Sequence, residues 1–185
     1  MSGHNKWAQI KHKKAITDAK KGNAFSKMVR EITIAARTGD PNPDANIRLK
    51  AAIDRARALG LPKDNIDRAV AKASGQGQDG ELFEFLYEAV APGGVAFLIQ
   101  GITDNKNRTV NEIKHLLSTH DARLANPGSV LWNFEREKGG SAYICRAPLV
   151  IPASPQGGPE IPPAIQSILD TLSEHDDVQE VYTNL

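Results

Sequence analysis

The hydrophobic periodicity of this 185-residue chain changes at residues 75–80, and that change constrains the fold more than any other feature. Before it, apolar residues recur at helical spacing, and after it they follow the patterns of strands. The segment itself, GQGQDG, matches G-x-G-x-x-G, but a dinucleotide site requires a strand before it and a helix after it. Here the order is reversed, so we predict a linker over 76–81 between a domain at 1–75 and a domain at 82–185.

Three amphipathic helices are predicted in the first domain. In the first, over 23–38, apolar residues recur every three or four positions and form one stripe. Gly60, which suits the left-handed backbone that follows many helices, ends a second helix predicted over 44–59. Pro62 then opens a third helix over 63–74, because proline is tolerated in the first helical turn.

Charge is distributed unevenly along the chain. Residues 1–75 contain 16 Lys and Arg against 7 Asp and Glu, whereas residues 76–185 contain 7 against 15. The first part therefore has a net charge of +9 and the second of −8, which accounts for the total of +1. A basic domain of this kind favours a polyanionic partner such as nucleic acid. The alternative is that the two oppositely charged parts dock on each other.

The basic residues cluster in the leading segment and on the predicted helices. Six lysines lie within residues 5–21, and further cations lie opposite the apolar stripe of the first helix. The alternatives are a solvated terminus and helices whose charged faces simply meet water. The candidate nucleic-acid contacts are Lys6, Trp7, Lys11, His12, Lys13, Lys14, Lys20, Lys21, Lys27, Arg30, Arg37, Arg48 and Arg55.

The second domain is predicted to be an α/β sandwich, a sheet with two helices on one face, which makes the whole chain α+β. A Pro-Gly-Gly turn joins two strands into a hairpin, and the T-x-x-E sequence at Thr109–Glu112 is typical of a helix N-terminus. Alternation of Val130, Trp132 and Phe134 is typical of a half-buried strand. The predicted elements are strands over 82–91, 95–103, 129–134 and 178–182, helices over 109–120 and 165–172, and a proline-rich loop over 148–163.

A polar loop before the predicted helix at Thr109 is a possible secondary anion site. It carries two cations and ends at a helix N-terminus, where unpaired N–H groups attract anions. The alternative is a well-capped turn between a strand and a helix. The residues of this loop are Asn105, Lys106, Asn107, Arg108 and Thr109.

The sequence lacks the motifs that mark common enzyme classes. It contains no G-x-S-x-G, Walker A or H-E-x-x-H sequence. His115 and His120 are five residues apart and do not share a helical face. The single cysteine, Cys145, excludes an internal disulfide and a multi-cysteine zinc site, and it is expected to be a small buried thiol. We therefore expect a non-enzymatic protein with no metal and no cofactor.

Two kinds of segment, membrane spans and secretory signals, bear on where the protein is located. No apolar run approaches the roughly 20 residues needed to span a membrane. The basic opening at 1–14 has no apolar h-region, so it is not a secretory signal. We expect a cytoplasmic protein that does not engage a membrane.

Ten short motifs, taken in order, resemble those of the YebC family of probable transcriptional regulatory proteins and translational activators of cytochrome c oxidase. The resemblance covers nearly the whole chain. It implies an N-terminal three-helix domain followed by α/β domains. The motifs are Ser2–Trp7, Ile10–Lys14, Asp18–Lys20, Asp44–Asn46, Arg48–Leu49, Pro62–Ile66, Pro92–Gly94, Thr103–Thr109, Gly128–Val130 and Asp176–Gln179.

The chain departs from the family pattern at one place. Family members usually carry another small α/β domain inserted after the strand that matches 129–134. Here residues 135–148 pass almost directly to the segment before the last helix, so the resemblance implies a short member without that third domain. Contacts that the inserted domain makes in relatives are not expected in this protein.

The resemblance implies a role in gene expression through DNA or through the ribosome. Few aromatic residues are available for base stacking, since Phe, Tyr and Trp make up 5% of the chain. We therefore favour binding to structured RNA, rRNA on the ribosome or tRNA. The resemblance further implies a translation factor that helps ribosomes translate proline-rich stretches. A DNA-binding transcriptional regulator is the alternative, and a protein-interaction module with an acidic partner is a further one.

Overall fold

The computed structural model divides into two compact units. Among the described residues, the helical unit contains the chain from Asp18 to Glu84, with three helices, and the short segment 102–106. The sheet unit contains 85–101 and the chain from Asn107 onward. No described helix has both the length and the apolarity to cross a membrane. The described residues are 18–73, 81–137, 142–146, 148–149 and 161–185, with the backbone alone at 18–20.

The helical unit confirms the three predicted helices. They are α1 (Asp18–Thr38), α2 (Ile47–Ala58) and α3 (Lys63–Ala71). Their facing stripes pack into one core because each helix has apolar residues on one side. The buried members of this core are Ile32, Ala35, Ala36, Leu49, Ala52, Ile53, Ala56, Leu61, Ile66 and Ala69.

Asn46 fixes the turn between α1 and α2. Its side-chain Nδ2 donates to the carbonyl oxygens of Ala35 at 2.9 Å and Asp40 at 2.8 Å. Its Oδ1 accepts the backbone N–H of Leu49 at 3.0 Å, which caps the start of α2. One buried amide thus ties the end of α1 to the beginning of α2.

The sheet unit is built on a four-stranded sheet. Its strands are β1 (Phe83–Ala91), β2 (Val95–Thr103), β3 (Arg123–Leu124) and β6 (Val178–Thr183), and they lie in the order β3-β1-β2-β6. The predicted hairpin is confirmed, since the turn Pro92–Gly94 joins β1 and β2. Strand β6 pairs antiparallel with β2, with Leu98 opposite Tyr182 and a register shift between Gln100 and Gly101.

The two faces of the sheet bury different partners. Phe97 and Ile99 face α4 (Lys106–Ser118) and α5 (Pro163–Glu174), so two helices cover one face as predicted. Strand alternation turns Leu98 to the opposite face, where it packs in a second cluster with Phe134. That cluster is covered by a two-stranded sheet of β4 (Phe134–Arg136) and β5 (Tyr143–Cys145), which the sequence analysis did not predict.

The predicted strand over 129–134 is wrong. The chain turns there and forms one 3-10 turn, Leu131–Asn133, before β4 begins. The buried carboxylate of Glu88 accepts the backbone N–H groups of Val130 at 2.7 Å and Leu131 at 3.0 Å. Amides held by a carboxylate are not available to a neighbouring strand, so alternation of apolar residues did not produce a strand.

Two smaller predictions are also wrong. Helix α4 begins at Lys106, so Thr109 lies inside the helix and does not cap it. Its hydroxyl donates instead to Asp177 Oδ2 at 2.6 Å, a partner 68 residues away that local sequence cannot reveal. Cys145 is half-buried beside the second cluster, where we expected a buried thiol.

Candidate nucleic-acid interface

Part of the predicted interface lies outside the described residues. For Lys20, in the first turn of α1, only the backbone is described. The described candidates are therefore the cations from Lys21 onward. The candidates outside the described residues are Lys6, Trp7, Lys11, His12, Lys13 and Lys14.

Helix α1 presents some of its cations to solvent and buries one. Lys21 and Arg37 are exposed near its two ends, and Arg30 is half-buried between them. The prediction that Lys27 lies on an exposed face is wrong, because Lys27 is only 7% exposed. Five consecutive residues, 32–36, are buried, so α1 is enclosed on more than one side. A single-stripe interpretation of the helix could not show this.

Two predicted contacts are paired with acids inside the helical unit. The guanidinium of Arg48 contacts the carboxylate of Glu84, and that of Arg55 contacts Glu31. All four side chains retain some exposure. Pairing reduces the attraction of these arginines for an external phosphate, although exposed ion pairs are weak and exchange readily.

Four exposed cations of the helical unit have no ion-pair partner among the described residues. Residues 18–73 contain 12 Lys and Arg against 7 Asp and Glu, so the unit keeps an excess of positive charge. Lys50 and Lys63 belong to this group, although neither is among the contacts predicted from the sequence. Phosphates bind such side chains as point charges. The four cations, called here the open cation set, are Lys21, Arg37, Lys50 and Lys63.

The predicted secondary anion site binds an anion from the protein itself. Asp177, only 1% exposed, accepts from Arg108 Nη2 at 2.8 Å and from the Thr109 hydroxyl. Lys106 lies with its Nζ 4.5 Å from the centre of the Phe83 ring, and Asn105 donates its backbone N–H to Thr103 Oγ1. Arg108 and Thr109 are thus committed to an internal carboxylate, while Asn107 is exposed.

Asp177 and two neighbouring residues have the chemistry of metal ligands. Ligand atoms of Glu112, His175 and Asp177 all lie within 4.8 Å of one another. However, Arg108 places its guanidinium against both carboxylates, with Nε 3.8 Å from Glu112 Oε2. The imidazole is also engaged, because Nδ1 accepts the Asp177 backbone N–H and Nε2 lies 3.2 Å from Glu112. Each member of the cluster therefore has a partner within it, and these contacts link α4 to the turn before β6.

Replacing Asp177 by Asn is expected to lower the free energy of unfolding by about 1–3 kcal/mol, since Arg108 loses a buried charged acceptor. Urea denaturation measures this change. The control is Glu135→Gln, which removes an exposed pair with Arg146, and there the expected change is below about 0.5 kcal/mol. Equal effects of the two variants would show that burial does not strengthen the Asp177 contacts.

Together, the fold and the site define a class: a two-unit α+β protein with a basic three-helix unit and a helix-covered sheet. Residues 5–76 match the model described as "TACO1/YebC protein N-terminal domain". Residues 82–140 match the model described as "TACO1/YebC second and third domain". The chain belongs to the TACO1/YebC family, which confirms the resemblance found in the sequence.

Curated relatives match about three quarters of this chain. A "Probable transcriptional regulatory protein" of Petrotoga mobilis is 53% identical over 137 residues, covering 74% of this chain and 55% of that protein. A protein of the same name from Thermotoga maritima is 52% identical and covered over 54% of its length. The chain thus spans about half the length of the curated relatives it matches.

A solved structure shares the fold. The crystal structure of a conserved hypothetical protein from Aquifex aeolicus is 31% identical and superposes with a TM-score of 0.81. The alignment covers 97% of this chain and 96% of that one. The two-unit α+β architecture is therefore also found in an experimentally determined relative.

Proposed function

We propose that this chain is a non-enzymatic regulator of gene expression that binds nucleic acid through its helical unit. The observation that carries the proposal is the open cation set: exposed, lacking ion-pair partners among the described residues, and set on a unit with surplus positive charge. Phosphate neutralisation by such side chains supplies most of the affinity in non-specific nucleic-acid binding. The names of the relatives, as probable transcriptional regulatory proteins, support the same level of function.

Within that role we infer structured RNA, rRNA on the ribosome or tRNA, as the partner and translation as the affected process. Phe25 is the only aromatic residue between 18 and 73, and it packs against the helical core. Residues 18–73 therefore offer no exposed ring on which bases could stack. Recognition by backbone charge and shape is how folded RNA is commonly bound. Help at proline-rich stretches is the specific activity that this hypothesis includes.

DNA binding is the second candidate, because the relatives are named as transcriptional regulators. Sequence-specific DNA binding needs side chains that reach base edges in the major groove. In the described helices, Arg48 and Arg55, which could reach a guanine, are paired with Glu84 and Glu31. This pairing favours contacts with phosphates over contacts with base edges, and so supports the RNA hypothesis over specific DNA binding.

Cosedimentation of the purified chain with bacterial ribosomes tests the proposal. We expect binding that weakens as salt rises, with a log–log slope of about −3 if the open cation set makes four phosphate contacts. Ribonuclease treatment of the ribosomes should abolish it. Preference for one duplex DNA sequence over random competitor would favour transcription instead. Binding that survives both nuclease and high salt would point to a protein-interaction module and contradict the proposal.

A further inference from the structure

Two arginines on one side of α2 are each engaged by a carboxylate of the helical unit. Arg48 and Arg55 are seven residues apart, which is close to two helical turns, so both side chains leave α2 on the same side. The rise of the helix places them roughly 10 Å apart along its axis. Phosphates of one strand follow one another about every 3.4 Å along the axis of duplex DNA, so a single strand spans both guanidinium groups.

Two ion pairs occupy these guanidinium groups. Arg48 meets both carboxylate oxygens of Glu84, with Nη1 3.4 Å from Oε2 and Nη2 in contact with Oε1. Arg55 places its Nη2 against Oε1 of Glu31. A carboxylate and a phosphate both accept the N–H groups of an arginine through paired oxygens. Each glutamate therefore fills the position that a phosphate would take on its arginine.

The two pairs lie at the surface of the unit and outside its apolar core, which contains none of the four residues. The side chains of Arg48 and Glu84 are 40% and 41% exposed, and Glu31 is 18% exposed beside an Arg55 that is 48% exposed. Because water screens charges at such positions, one pair changes an equilibrium constant by about fivefold at most. The pairs therefore contribute little to folding, and each is matched in strength to a single phosphate contact.

We propose that Glu31 and Glu84 are restraining residues, which hold Arg55 and Arg48 away from phosphate and so limit the affinity of the helical unit for nucleic acid. The inference rests on the proposed nucleic-acid function. The open cation set makes the phosphate contacts, and the two arginines are withheld from them. Affinity differences between related complexes lie mostly in the dissociation rate. A restrained unit therefore leaves its partner sooner than one with both arginines free.

Neutralising the two glutamates in the full-length chain tests the restraint. Glu84→Gln and Glu31→Gln keep the size of each side chain and remove its charge. We expect each variant to bind purified bacterial ribosomes about threefold to fivefold more tightly in cosedimentation. The log–log salt dependence should steepen by about 0.9 for each freed arginine that gains a phosphate. Thermal melting should stay close to that of the parent chain, because exposed pairs contribute little to stability.

Asp67→Asn is the matched control for charge. Asp67 is an exposed acid of α3 with no ion-pair partner in the described parts of the chain. Its neutralisation changes the net charge of the helical unit by the same amount and frees no arginine. We expect less than about a twofold gain in affinity, because salt screens a distant charge, and an unchanged salt slope. Equal gains for Asp67→Asn and Glu84→Gln would reduce the effect to net charge and overturn the restraint.

A double variant assigns the gain to the arginine. In a chain that already carries Arg48→Ala, the Glu84→Gln substitution should no longer raise ribosome affinity, because the side chain that it frees is absent. The same comparison applies to Glu31→Gln in an Arg55→Ala chain. A gain that persists without the arginine would contradict the restraint.

The outcomes separate this inference from the proposed function. If the parent chain binds ribosomes and the two glutamate variants bind no more tightly, the restraint is overturned and nucleic-acid binding is left intact. Tighter binding with an unchanged salt slope would mean that the freed arginines meet something other than phosphate, which also overturns it. Failure of the parent chain and all variants to bind ribosomes would overturn the proposed function and, with it, this inference.

Discussion

Replacing Lys21, Arg37, Lys50 and Lys63 together by alanine is expected to lower ribosome affinity about 100-fold at low ionic strength, while the fold is retained. These four side chains are exposed and have no ion-pair partner among the described residues. Each lost phosphate contact removes the favourable release of one condensed counterion. The salt dependence should flatten in parallel, because fewer counterions are released. A salt series of cosedimentation measurements with parent and variant chains gives both quantities.

The matched control removes two positive charges from the same unit, at arginines whose side chains already have partners within the unit. Arg57 pairs with Asp54 at 3.6 Å, and Arg68 donates to Asn65 Oδ1 at 2.6 Å. The double variant Arg57→Ala, Arg68→Ala is compared with Lys50→Ala, Lys63→Ala, because both lose two charges. If affinity followed net charge alone, the two pairs would weaken binding equally. A larger loss for Lys50 and Lys63 locates the interface, and equal losses would refute the open cation set as a defined site.

The elements that the sequence predicts well are those set by local periodicity. The stripe of α1 and the Pro-Gly-Gly hairpin depend on residues close together in the chain, and both are present. Gly60, predicted to end the second helix, has a φ of +83°, the left-handed conformation that glycine tolerates. In each case one short segment contains the whole physical cause.

The predictions that failed depend on partners far away in the chain. Glu88 controls the loop at Trp132 from a strand about 40 residues earlier, so alternation of apolar residues was misinterpreted as a strand. The Thr109 hydroxyl donates to Asp177 and does not cap the N-terminus of its own helix. Lys27 is buried although it carries a charge, because α1 is enclosed on several sides. Tertiary contacts overrode local patterns at these positions.

The candidate site was predictable as a region and not as a residue set. Surplus positive charge in the first part of the chain identified the helical unit. Which cations remain open depends on where acids lie after folding: Glu31 reaches Arg55 from 24 residues away, and Glu84 reaches Arg48 from 36. Lys63, at the start of α3, has no ion-pair partner in the part of the chain that the structure describes. Composition cannot distinguish these cases, because the pairing is created by the packing of the helices.

Gly101 is expected to be the most sensitive small position in the sheet unit. A Cβ atom built on it would lie 2.2 Å from the Asp177 carbonyl oxygen and 2.2 Å from Phe85 Cζ. Neither neighbour can move freely, because Phe85 belongs to the core and Asp177 belongs to the turn held by Arg108 and Thr109. We therefore expect Gly101→Ala to lower the free energy of unfolding by more than about 3 kcal/mol.

The Gly22→Ala substitution supplies the opposite expectation in the same chain. Gly22 lies exposed within α1, and a Cβ built on it meets nothing within 4 Å. Alanine there should raise the free energy of unfolding by roughly 0.5–1 kcal/mol, since glycine is unfavourable inside a helix. Urea denaturation of the two variants, followed by circular dichroism, measures both changes. If Gly101→Ala left the free energy of unfolding unchanged, β2 would not approach Phe85 and the Asp177 backbone this closely, and the expectation would be contradicted.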